Sequence, residues 1–228
     1  MWRVPVCPGC KHIFSPQKQN ECPTCGFSFK KLNDRFGEEH IVFGRVTNLS
    51  GAIRHAQQQR LEHLLETLEK RIRPAILTVC FLNVGPQEYI QKPLWYFNNM
   101  RLNKADFGDR PQEEIDPKWM LTLFADVRMK RANFVWGYHL NAYVDESIAS
   151  CLTAGSLQMH DNMIVDGINK IMKAAVRHVV GNARRQKWKT LKSAQEAYKT
   201  EQETKTQATP PWKSSITSSR ERSEGRRD

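Results

Sequence analysis

The chain has 228 residues, 39% of them hydrophobic and 26% charged, with a formal net charge of +11 at pH 7. No apolar run reaches about 18 residues, which argues against a transmembrane helix, and the opening Met1-Trp2-Arg3-Val4-Pro5-Val6-Cys7 lacks an apolar core of signal-peptide length. The expectation is a soluble cytoplasmic protein of one or two domains, with a mean hydropathy of −0.62 pointing to a part that does not pack.

Residues 1–35 hold 6 Lys/Arg against 2 Asp/Glu. Their four cysteines form two Cys-x-x-Cys pairs, Cys7-Pro8-Gly9-Cys10 and Cys22-Pro23-Thr24-Cys25. Each pair places two thiolates on one tight turn, and a tetrahedral zinc ion joins the turns into one unit. Gly26 suits a positive φ at the end of the second turn; Lys11 stands at the equivalent place in the first. Thirty residues bury little core, so the metal supplies the fold. The segment resembles a zinc ribbon, with Ile13 and Phe14 in a hairpin between the pairs. Phe14, Phe27 and Phe29 alternate with Lys11, Lys18, Lys30 and Lys31. That mixture suits base stacking, but a domain this small needs aromatics for its own core, and the core reading is preferred.

Residues 36–182 are electrically balanced, with 17 Lys/Arg and 16 Asp/Glu. Leu61, Leu64, Leu65, Leu68 and Ile72 mark one face of a helix ended by Pro74. Glu66 with Lys70 and Glu69 with Arg73 read as i,i+4 pairs on its surface. Ala75 to Leu82 is a continuous apolar run, the pattern of a strand buried on both faces. Tyr89, Ile90, Leu94, Phe97 and Met100 predict a second helix, with Pro93 at its start or at a kink. A polar loop covers Asn103 to Pro117. Trp119 to Ala125 and Ala132 to Tyr138 predict two strands of a hairpin, joined by a turn from Asp126 to Arg131. Asp145 opens a helix through Ile148 and Leu152, and Ile164, Ile168, Ile171, Ala175 and Val179 define the last long helix. Cys80 and Cys151 read as small buried hydrophobes. The order predicts an α/β fold, an α-β-α sandwich with helices covering a sheet.

Residues 183–228 hold 12 Lys/Arg against 6 Asp/Glu and turn Ser/Thr-rich with Pro210-Pro211. They read as a helical extension and a disordered basic tail with too few apolar residues to fold alone. Trp212 is a docking anchor at most.

The middle region resembles the TPM domain family, which includes thylakoid acid phosphatases and photosystem II repair proteins. The resemblance covers residues 48–182. It rests on the strand Ile76 to Val84 after a long helix and on a Tyr-x-x-x-x-x-Trp-Tyr-Phe-Asn helix from Tyr89 to Asn98. It continues through the strand Met120 to Phe124, a charged turn, and Trp136-Gly137-Tyr138-His139-Leu140 ahead of Asp145. Gly137, Tyr138, Leu140 and Asp145 match the family pattern. Lys118-Trp119 replaces its usual Asn-Gly, His139 its second Gly, and Asn141 its Glu. The resemblance implies a cleft of acidic loop residues that binds a divalent cation and, in some members, hydrolyses phosphate esters.

The acidic residues left for such a cleft are Asp116, Asp126, Asp145 and Glu146, candidate ligands for calcium or magnesium. Each also has a structural reading: Asp145 as an N-cap with Glu146 in the first turn, Asp126 in a hairpin turn, Asp116 before Pro117. The preferred function is a non-catalytic or degenerate TPM-like interaction module for a protein partner, carrying a structural zinc ion on Cys7, Cys10, Cys22 and Cys25. The alternatives are a metal-dependent phosphatase, and nucleic-acid binding through the ribbon and the basic tail. No phosphate-cradling glycine loop, nucleophile elbow or paired i,i+4 histidines occur.

Overall fold

The computed structural model describes residues 21–86, 88–108 and 110–185. All of them belong to the first of two units, Met1–Lys187; the second, Trp188–Asp228, lies outside the described residues. So do the expected extension and tail beyond residue 185, Cys7, Cys10, and the hairpin with Ile13 and Phe14.

The sheet is built on the two apolar runs. Strands β3 (Ile76–Leu82) and β5 (Met120–Asp126) are buried at every residue and pair in parallel, Ile76 opposite Met120 through Leu82 opposite Asp126. Full burial on both faces is what a continuous apolar run predicts. β6 (Arg131–Trp136) pairs antiparallel with β5, completing the expected hairpin, while Trp119 and Tyr138 lie in short 3-10 turns just outside it. The other edge is β2 (Val46–Asn48), parallel to β3, so the four-stranded order is β2-β3-β5-β6. In the middle of the sheet the hydroxyls of Thr78 and Thr122 satisfy each other at 2.8 Å, which lets two polar side chains stay buried.

Period-two alternation sends Cys80, Leu82 and Phe124 to one face, where α3 (Gln91–Asn99) covers them with Leu94, Tyr96 and Phe97. Pro93 sits in the first turn of α3, where its missing N–H costs nothing. Leu77, Val79, Phe81 and Leu123 point to the other face. There α2 (His55–Glu69) packs on β3 and on the long α5 (Ile164–Arg185). Leu61, Leu65 and Leu68 form the buried stripe of α2, as the spacing predicts; Ile72 is equally buried but lies in the turn beyond the helix. A 3-10 helix (Glu146–Gly155) and α4 (Ser156–His160) pack along α5.

Several elements depart from the sequence reading. Residues Phe29–Phe36, assigned to the ribbon, form helix α1, capped by Ser28, whose Oγ accepts from Lys31 N at 3.2 Å. α1 docks on α3: Trp95 Nε1 donates to Gly37 O at 2.9 Å, Asn99 Nδ2 to Asn33 Oδ1 at 2.9 Å, and Phe36 packs against Trp95. β1 (Ile41–Phe43) pairs in parallel with β4 (Met100–Leu102), so Met100 begins a strand and does not end a helix. The α/β domain thus recruits residues upstream of 48. The polar loop after residue 103 contains two 3-10 turns, and it buries Phe107 and Ile115 against Ile76 and Met120.

Glu69 is the clearest correction. It does not pair with Arg73 on the surface. It is fully buried, with Oε1 accepting from Leu77 N at 2.7 Å and facing Arg45 at 2.6 Å, and Oε2 accepting from Arg110 Nε at 3.1 Å. Arg110 also donates to the carbonyls of Pro74 and Ala75 at 3.1 and 2.6 Å, and Arg45 lies over the Phe107 ring. The neighbouring Glu66–Lys70 pair forms as expected at 3.2 Å.

Candidate functional site

The described half of the cysteine motif is a closed turn. Gly26 N donates to Cys22 O at 2.8 Å, and Cys22 N to Phe27 O at 2.9 Å. Gly26 has φ +67°, the left-handed conformation that closes such a turn and that a glycine adopts without strain. Cys22 is buried and Cys25 exposed. Two thiols on one tight turn could supply two of the four ligands of a tetrahedral zinc site. Phe27 and Phe29 meet edge to face at 5.6 Å, yet Phe29 remains 44% exposed, so it is a surface residue and not the core residue preferred from sequence.

The four acidic positions are distributed over the fold. Asp126 ends β5 and is 1% exposed. Its Oδ2 accepts from Val84 N at 3.2 Å and its Oδ1 from Met129 N at 3.0 Å. This carboxylate ties the exit of β3 to the hairpin turn. Asp116 stands at the opposite end of β5, as N-cap of the 3-10 turn Pro117–Trp119; its Oδ1 accepts from Lys118 N at 2.8 Å and its Oδ2 lies 3.8 Å from Lys118 Nζ. The length of β5 from Met120 to Asp126 separates the two by about 20 Å, too far for one cation to bridge.

Asp145 caps the 3-10 helix Glu146–Gly155, accepting from Ser147 N at 3.1 Å and from the Ser147 hydroxyl, and it pairs with His178 Nε2 on α5 at 3.4 Å. Glu146 is exposed in the first turn of that helix. Among the described residues no group of three or more His, Cys, Asp or Glu side chains is arranged to hold a metal ion.

Sequence reading missed the constellation around Asp145. His178 and Asn182 of α5 face it one helical turn apart, with Asn182 Nδ2 3.0 Å from His178 Nε2 and donating to Tyr143 O at 2.9 Å. Their i,i+4 spacing was the available signal. Asp145, Ser147 and His178 do not form a nucleophilic triad. Asp145 Oδ1 and Ser147 Oγ both approach the same ring nitrogen, Nε2, and the Ser147 hydroxyl donates its hydrogen bond to Asp145. A triad needs nucleophile and orienter on opposite nitrogens of the histidine base. The arrangement straps the 3-10 helix to α5.

Trp119, Tyr138 and His139 form a cluster of rings beside Lys118. His139 stacks on Trp119 at 4.8 Å and meets Tyr138 at 4.3 Å, and Lys118 Nζ lies over the Tyr138 ring. Burial holds the His139 imidazole below its usual pKa; Asp116 opposes that shift and Lys118 adds to it. Asn141 accepts from Trp136 Nε1 at 2.9 Å. At Gly137 a Cβ would stand 2.3 Å from the carbonyl oxygens of Pro117 and Lys118, so this backbone crossing admits no side chain.

No helix among the described residues is long and apolar enough to cross a membrane. No protein-family model matches the chain, and no curated protein does. Solved structures give distant likenesses. The BA42 protein of the psychrophilic bacterium Bizionia argentinensis shares 12% identity over 59% of this chain and 86% of that one, with a TM-score of 0.46. The N-terminal domain of a protein from P. gingivalis shares 16% over 60% and 82%, with a TM-score of 0.42. The N-terminal domain of the cg2496 protein from Corynebacterium glutamicum shares 13% over 60% and 78%, with a TM-score of 0.38. Likenesses at this level name no function.

Proposed function

We propose that the chain is an interaction module: a TPM-type α/β domain whose acidic positions serve the fold, joined to a zinc ribbon and directed at a protein partner in the reducing cytoplasm. One observation carries the reading. Asp116, Asp126 and Asp145 each accept a backbone N–H of their own turn, and the first two occupy opposite ends of β5. A hydrolytic cation needs several carboxylate oxygens converging on one point, free to exchange water for substrate. Here the oxygens are directed at different backbone segments. The rings of Trp119, Tyr138 and His139 stand beside Asp116, where an open loop would admit a substrate.

Zinc would be held by Cys7, Cys10, Cys22 and Cys25, and it supplies folding energy to the ribbon with no part in chemistry. A reducing compartment keeps these thiols available as thiolate ligands.

The test is turnover. Purified full chain should hydrolyse para-nitrophenyl phosphate no faster than buffer, with or without added calcium or magnesium. Cation-dependent turnover that disappears in a folded Asp145→Asn variant would overturn the reading in favour of a phosphatase.

A further inference from the structure

Helix α5 buries one face completely: Ile168, Ile171, Met172, Ala175, Val176 and Val179 are shielded by the core. Its exposed residues are Asp166, Lys170, Lys173, Arg177, Arg184 and Arg185. Past the first turn, every exposed residue of this helix is therefore a cation. Lys170, Lys173, Arg177 and Arg184 follow at intervals of 3, 4 and 7 residues, which aligns them in one strip along the helix. At about 1.5 Å per residue the strip is about 21 Å long.

The strip is not explained by the helix itself. Cations at i,i+3 and i,i+4 repel one another and weaken a helix. The helix dipole favours Arg184 and Arg185 in the last turn but does not reach Lys170 or Lys173. None of the four strip cations is within ion-pairing distance of a carboxylate among the described residues, whereas Lys70, Lys92 and Lys118 each have one. The apolar side chains of α5 are buried or half-buried and none is exposed, so the helix presents no apolar face to insert into a lipid interface.

We propose that this face of α5 docks the phosphate backbone of a nucleic acid. A row of separate cations about 21 Å long, a little over half of one duplex turn of about 34 Å, complements a row of phosphates and reads no base, so the binding is sequence-independent. The chain continues past Arg185 with further basic residues, which extends the positive run along the sequence. This inference goes beyond the module reading, because the face would bind a polyanion whether or not the acidic positions turn over phosphate esters.

The experiment is fluorescence anisotropy of the full chain with a labelled duplex over a range of salt, repeated with the variant Lys170→Gln, Lys173→Gln, Arg177→Gln, Arg184→Gln. Glutamine keeps the helix propensity. Each duplex phosphate neutralised contributes about 0.9 to the slope of log K against log salt, so the variant slope should be shallower by about 3.6. An unchanged slope in a folded variant would overturn the proposal and leave duplex binding to other segments. Vesicles of phosphatidylserine and phosphatidylcholine serve as the second probe. Retention on them that depends on the four cations, without a change in duplex slope, would also overturn it. Should the variant misfold, lysine methylation of the unaltered chain decides. Lys170 and Lys173 should be protected by the duplex, and equal labelling with and without it refutes the docking face.

Discussion

At the scale of single residues, Glu69 shows how burial rewrites a local pattern. Read along the helix, Glu69 and Arg73 form a surface pair. In the fold the carboxylate turns inward to Arg45 and Arg110, which come from distant parts of the chain. No local spacing encodes such partners, so this cluster was not legible in the sequence. Desolvating three charges is costly, and the arrangement survives because both carboxylate oxygens accept hydrogen bonds and all three guanidinium nitrogens of Arg110 donate one. Neutralising Glu69 takes a buried anion away from Arg45 and Arg110, so Glu69→Gln should lower stability by about 3–5 kcal/mol in urea unfolding. A loss under about 1 kcal/mol would contradict that role, being the size of an exposed ion pair. His139 gives a pH signature. Its folded pKa lies below the usual 6.5, so between the two values the unfolded chain binds a proton that the native ring refuses. Stability is complete above 6.5 and falls as pH drops through this window. The melting temperature should decline as pH falls below about 6.5, and His139→Gln should flatten the decline. An equally steep decline in the variant would place the sensitivity elsewhere.

At the scale of elements, legibility followed length. β3 and β5 announce themselves through seven-residue apolar runs, and α2 and α5 through repeated apolar spacing over many turns. β1, β2 and β4 have three residues each, too few to show a period; β2 is held by the longer β3, while β1 and β4 are held by each other across 57 to 61 positions of chain. α1 was hidden for a different reason: its docking surface is Trp95 and Asn99, far along the chain. The crossing of α5 with the 3-10 helix Glu146–Gly155 depends on two glycines. A Cβ on Gly155 would meet Gly167 O at 2.1 Å, while Gly181, on the same long helix, has open space. Gly155→Ala should therefore destabilise by about 1–3 kcal/mol through overpacking. Gly181→Ala should stabilise by about 0.5–1 kcal/mol by restricting the unfolded chain within a helical position. Thermal unfolding of the two variants checks both signs; the same sign for both would refute the close crossing.

At the scale of the whole molecule, two claims rest on different footing. The cysteine pairs stand out in the sequence because their spacing is the one a tetrahedral metal would impose, and the described half, Cys22 to Gly26, is a closed turn. Elemental analysis should find one zinc per chain, and Cys22→Ser should lose it while the sheet core of β3 and β5 still unfolds cooperatively. Metal-free protein with an intact N-terminal segment would contradict the ribbon. The acidic positions were legible as residues but not as a site. Sequence order cannot say whether two carboxylates ten residues apart share a loop or stand at opposite ends of a strand, and here the strand separates them. Calcium titration followed through the backbone amide NMR signals tests that separation most directly. The account expects no common saturable shift at Asp116, Asp126 and Asp145, only weak and independent changes at exposed carboxylates. A single isotherm moving the signals of Asp116 and Asp126 together would show that the two ends converge on one cation, and would contradict the account.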